Sequence, residues 1–82
     1  MERPPIASRW IESWLTACCR LGHGEWEHAG SLYDSWRHYV HQLRDEPGAP
    51  AEFAREMERR GFEVDHIPAV SRGRIRWGLR LR

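Results

Sequence analysis

Three amphipathic helices followed by a β-hairpin, an α+β architecture, is what the sequence predicts, and three observations predict it. Apolar residues recur at helical spacing in three segments before Gly61, the period falls to two beyond it, and a Ser71-Arg72-Gly73 tip separates two alternating runs. A chain of 82 residues holds one hydrophobic core, because dividing it would leave neither half enough buried area.

The first helix is expected from Ser8 to Leu21, where Trp10, Ile11, Trp14, Leu15, Cys18 and Leu21 share one stripe, Ser8 caps the start and Gly22 ends it. Residues 1–7 are then an extended or disordered lead-in. After a connector in which Glu25 to Glu27 suit a short strand, Leu32, Trp36, Tyr39, Val40 and Leu43 mark a second helix over Ser31–Leu43, with Ser31 and Asp34 as a shortened capping box. Asp45-Glu46-Pro47-Gly48 breaks it. Pro50 suits the first turn of a short third helix that turns Phe53, Ala54 and Met57 inward before Gly61. Beyond it Phe62, Val64 and His66 alternate with Glu63, Asp65 and Ile67, and Ile75, Trp77, Leu79 and Leu81 alternate strictly with Arg74, Arg76, Gly78 and Arg80. Three helices and then a hairpin is the order of a winged helix, with helices two and three as the helix-turn-helix and the hairpin as the wing. The expected core holds Trp14, Leu15, Leu32, Trp36, Phe53, Met57, Phe62 and Trp77.

Composition narrows the function. Hydrophobic residues make up 40% and charged residues 30%, a globular balance, and five Trp supply large units of burial. No apolar run approaches the roughly 20 residues of a membrane helix, and Met1-Glu2-Arg3-Pro4-Pro5 lacks the order of a secretion signal, so a cytoplasmic location is expected. Cys18 and Cys19 are adjacent, which reads as two reduced thiols. The net charge of +1 conceals a division: residues 1–70 carry eight Arg against twelve acids, whereas residues 71–82 carry five Arg and no acid. A concentrated basic end attracts a polyanion. All thirteen basic residues are Arg, which grips phosphate bidentately but also accumulates in GC-rich genomes.

Trp14-Leu15, Cys18-Cys19 and Leu21-Gly22 in the first helix, Leu32-Tyr33 and Trp36 in the second, Phe53, Met57, Gly61 and Phe62 around the third, and Arg74, Trp77-Gly78-Leu79 and Leu81 at the end carry a resemblance. Over about residues 11–82 the chain resembles the winged-helix domain at the C-terminus of phage and plasmid primase-helicases of the poxvirus D5 and phage P4 type. The resemblance implies a non-catalytic DNA-binding appendage behind a helicase motor, active in DNA replication.

The candidate nucleic-acid contacts are therefore Arg72, Arg74, Arg76 and Arg80 of the wing, joined by Arg55 and Arg59 of the third helix. Charge of this kind also protects an edge strand from aggregation, but the complete absence of acids from 71 to 82 favours a binding role. Glu52, Glu56 and Glu58 set negative charge on the third helix, where Arg55, Arg59 and Arg60 are within pairing distance. Cys18, Cys19, His23 and His28 fit no standard zinc spacing, and His38 with His41 lacks a third ligand, so neither a metal nor another cofactor is expected. No nucleophile, phosphate-loop or metal motif points to an enzyme. The expected partner is DNA, duplex or single-stranded. The other possibility is a replication protein docked on the acidic face of helices two and three, with no membrane and no small-molecule substrate in either case.

Overall fold

A computed structural model describes residues 6–66 and 73–82. Helix α1 spans Ile6–Cys18, strand β1 Cys19–His28, helix α2 Ala29–Gln42, helix α3 Pro50–Arg59, strand β2 Val64–Asp65 and strand β3 Ile75–Leu81. The three strands form one antiparallel sheet in the order β1-β3-β2, so the last strand in sequence lies at the centre. No helix among the described residues is long and apolar enough to cross a membrane.

The helical stripes fall where the 3.6-residue period puts them. Ile11, Trp14 and Leu15 of α1, Leu32, Trp36 and Val40 of α2, and Phe53 and Met57 of α3 are buried in one cluster, completed from the sheet by Cys19 and Leu79. Its centre is aromatic: Trp14 meets Trp36 and Phe53 edge-on at 5.9 and 5.5 Å, while Trp36 stacks on Phe53 at 5.8 Å. Each buried indole N–H is satisfied, Trp14 donating to Ser35 Oγ (3.1 Å) and Trp36 to the Pro47 carbonyl (2.9 Å), the latter pinning the α2–α3 connector. Phe62 packs on this core from the edge.

The termini of the elements depart from expectation. Helix α1 already includes Ile6, so Ser8 does not cap it and residues 6 and 7 are not lead-in; it stops at Cys18, three residues before Leu21. Cys19, Arg20 and Leu21 instead pair with Leu81, Arg80 and Leu79, and a ladder with the central strand outweighs the local helical pattern. The short strand expected near Glu25 is thereby ten residues long. Helix α2 begins at Ala29, before Ser31, with no side-chain cap; Asp34 faces Arg37 at 3.6 Å in place of closing a capping box. Helix α3 starts at Pro50 as expected, and Glu52 reaches back to accept the Ala49 N–H at 3.3 Å. Strand β2 is only two residues long, and Val64 is exposed.

Strand β3 does not keep a single inward parity. Between the Leu21–Leu79 and Trp26–Trp77 pairs β1 advances five residues and β3 two, so the Gly22-His23-Gly24-Glu25 segment bulges out of the ladder. Opposite the bulge Gly78 has φ +99°, and a Cβ there would lie 3.1 Å from the Phe62 ring. Only glycine permits both the backbone and that approach. Before Gly78 it is Arg76 that turns toward the helices; after it, Leu79 and Leu81 do.

Candidate nucleic-acid interface

The altered parity redistributes the wing arginines. Arg76, expected on a solvated basic face, is 5% exposed. Its guanidinium donates to Glu58 Oε1 at 3.0 Å and to the Phe62 carbonyl at 2.8 Å, tying β3 to the last turn of α3. Trp77, expected in the core, is 37% exposed on the outer side of the sheet, and its indole N–H donates to Asp65 Oδ2 at 3.1 Å. The two residues have exchanged faces because Gly78 breaks the pleat that strict alternation assumes. Ile75 is buried as expected, but apart from the main cluster.

The remaining arginines do not form one stripe. Arg74 is exposed at the entrance of β3, beside the start of α2, where its carbonyl accepts the Ala29 N–H at 2.8 Å. Arg80 is exposed six residues further on, about 20 Å along the strand at 3.3 Å per residue. Arg72 lies outside the described residues. What the fold does bring to Arg80 is Arg20, its partner across the β1–β3 ladder, and both are exposed. Like charges set directly opposite in a sheet repel, and no carboxylate among the described residues is paired with either. Arg82 lies two residues beyond Arg80, its backbone N–H held by the Cys18 carbonyl at 2.9 Å. Sequence reading missed Arg20 because it placed that residue on a helix; the glycines at 22 and 24 were the available sign that the helix had already ended.

Helix α3 is similarly divided. Glu56, 6% exposed, accepts from Arg59 through Nε (3.2 Å) and a terminal nitrogen (2.6 Å), and from Arg60 Nε at 2.6 Å. Arg60 also pairs with Glu12 of α1, so this carboxylate knot joins two helices. Burial alone would raise the Glu56 pKa, but the hydrogen bonds and charges of the two guanidiniums outweigh it and hold the carboxyl below its usual value. Arg59 is therefore committed to Glu56, although its side chain is largely exposed. Arg55 projects from the same helix with no ion-pair partner among the described residues.

No family model matches the chain, and neither a curated protein nor a solved structure matches it. The interface thus rests on its own geometry. Among the described residues no group of three or more His, Cys, Asp and Glu could hold a metal ion. Cys18 and Cys19 are free thiols divided between the end of α1 and the start of β1, and it is Cys19 that enters the core. Burial, reinforced by Cys18 and Glu27 against the opposing pull of Arg82, pushes the Cys19 thiol pKa up to about 12.

Two depressions involve residues of β1 and β3. One, of about 160 Å³, is lined by Trp26, Glu27, His28 and Arg80; the other, of about 380 Å³, by His23, Gly24, Gly61, Trp77 and Gly78.

Proposed function

We propose that the chain is a winged-helix module that binds nucleic acid through the outer side of its sheet, with Arg20 and Arg80 leading the phosphate contacts. The observation that carries this reading is the facing arginine pair. Arg20 and Arg80 are partners across the ladder, both exposed and neither paired with a carboxylate among the described residues, so their like charges repel, and a phosphate shared between them would relieve that repulsion with the bidentate geometry Arg favours. Arg82, Arg74 and Arg55 add further positive charge, with no ion-pair partner among the described residues. The element order supports the winged-helix assignment: a strand between the first two helices, then α3 and two more strands, with the last strand central. On this reading α2 and α3 are the helix-turn-helix, and the module serves as the C-terminal DNA-binding appendage of a phage or plasmid replicative primase-helicase in the cytoplasm. It performs no catalysis of its own. Docking of a replication protein on an acidic face of α2 and α3 has less to stand on, because Glu52, Glu56, Glu58 and Asp34 are each engaged by a backbone N–H or an arginine.

The test is a titration with duplex and single-stranded oligonucleotides at several salt concentrations. Arg20→Ala with Arg80→Ala should weaken binding to all sequences and flatten the slope of log affinity against log salt by about 1.8 for duplex, at roughly 0.9 per phosphate contact. Arg76→Ala should instead lower the melting temperature, since it removes a half-buried ion pair with Glu58 and leaves the Phe62 carbonyl without its donor. Parent protein that binds neither duplex nor single strand at low salt would overturn the assignment.

A further inference from the structure

The indole of Trp77 stands exposed on the central strand of the sheet. Trp77 sits in mid-strand, where a buried aliphatic residue would serve the fold better, yet it is more than a third exposed and fixed from three sides. Asp65 takes its indole N–H, the Glu63 carbonyl takes its backbone N–H at 3.1 Å, and Trp26 faces it across the ladder. The surrounding walls are low. Gly24, Gly61 and Gly78, all at positive φ, and the exposed His23 border a dish of about 380 Å³ over the ring. No side chain stands above it from those three glycines.

We infer that this dish is a stacking site for an unpaired nucleobase, so that the sheet binds single-stranded nucleic acid with a base on Trp77 and a flanking phosphate on Arg20 and Arg80. The inference rests on the nucleic-acid reading above and names its substrate class. An aromatic face that is immobile before binding loses little entropy when a flat ring covers it, and every base has a π-face to offer, which makes such a site tolerant of sequence. A base paired inside a duplex has no free face for it. Charge complementarity selects a polyanion as occupant. Arg80 is three residues from Trp77, about 10 Å along β3, and shares the smaller depression with Trp26, the residue across the ladder from Trp77, so aromatic and cationic groups are neighbours on the sheet. Of the nearby acids, Asp65 holds the indole, and Glu27 accepts the Leu81 N–H at 3.2 Å and lies 3.9 Å from His28, while Glu25, between Gly24 and Trp26, keeps a buried Oε2 with no hydrogen-bond partner among the described residues. Glu63 and Asp65 are exposed acids beside the ring, and both sit on the β2 side, away from the Arg20–Arg80 pairing of β1 with β3.

The experiment measures fluorescence anisotropy of labelled oligonucleotides with the full chain. The probes are a thymidine oligomer, the same length of phosphodiester with abasic sites, and a duplex. Parent protein should bind the thymidine strand about ten-fold tighter than the abasic strand. Trp77→Ala should remove that difference and leave the salt slope unchanged, Trp77→Phe should keep most of it, and Arg20→Ala with Arg80→Ala should weaken both strands and flatten the slope by about 1.4, at roughly 0.7 per contact. Equal affinity of the parent for the thymidine and abasic strands overturns the stacking site whether or not the Trp77 variants fold, and leaves phosphate binding intact. Absence of binding to every probe overturns both readings.

Discussion

Among the described residues Glu56 and Arg76 are the buried charged ones; Arg76 ties β3 to α3, and Glu56 holds Arg60, which in turn pairs with Glu12 of α1. A buried carboxylate without partners costs several kcal/mol, so the paired guanidiniums of Arg59 and Arg60 are a condition of its presence. With its folded-state pKa below the unfolded value, Glu56 contributes stability that is complete above the ordinary Glu value of about 4.3 and is lost as pH falls through the lower folded value. Melting temperature should therefore fall steeply in acid. Glu56→Gln should be less stable than the parent at pH 7, and the gap should close as pH drops below about 4; a gap that stays constant across this range would contradict the assignment. Nothing in the sequence separated Glu56 from Glu52 and Glu58. All three occupy arginine-rich helical neighbourhoods, and which one is buried depends on where α1 crosses α3, a tertiary fact.

Helices were legible where the sequence carries a strong 3.6-residue period, and strands only where the pleat is regular. The stripes on α1, α2 and α3 placed Trp14, Trp36, Phe53 and Met57 in the core because a helix has one inward face whatever its neighbours do. Strand β3 has no such guarantee. One glycine at positive φ sends Trp77 outward and Arg76 inward, reversing two side chains that alternation had assigned, although a glycine within a strand is itself a sign of a bulge. Gly78→Ala tests how much of this depends on that single residue. The added Cβ meets Phe62 on a backbone that L-residues rarely adopt, and the loss should be about 1–3 kcal/mol. Calorimetry or denaturant titration would measure it, and a loss within error of zero would mean that the strand relaxes elsewhere. Arg20 escaped for a related reason: local helical pattern continues through Cys19–Leu21, and only pairing with the final strand turns those residues into sheet.

For the molecule as a whole, one aromatic knot carries the cohesion. Trp36 touches Trp14 and Phe53 and anchors the connector through Pro47, so it joins all three helices. Domains of this length are stable by about 4–12 kcal/mol, and Trp36→Ala should cost about 3–5 kcal/mol, enough to abolish or nearly abolish cooperative melting at 37 °C. A variant that melts within a few degrees of the parent would show that the core repacks around the void.

Because β3 is both last in order and central in the sheet, neither β1 nor β2 has a hydrogen-bonding partner until residues 75–81 exist. During synthesis the helices can begin to collapse as they leave the ribosome, but β1, made some fifty residues earlier, must wait with its edge unsatisfied. Formation of the sheet thus waits for β3 to pair with β1 and β2, and Arg20 meets Arg80 only then: the proposed phosphate-binding pair comes into being together with the sheet.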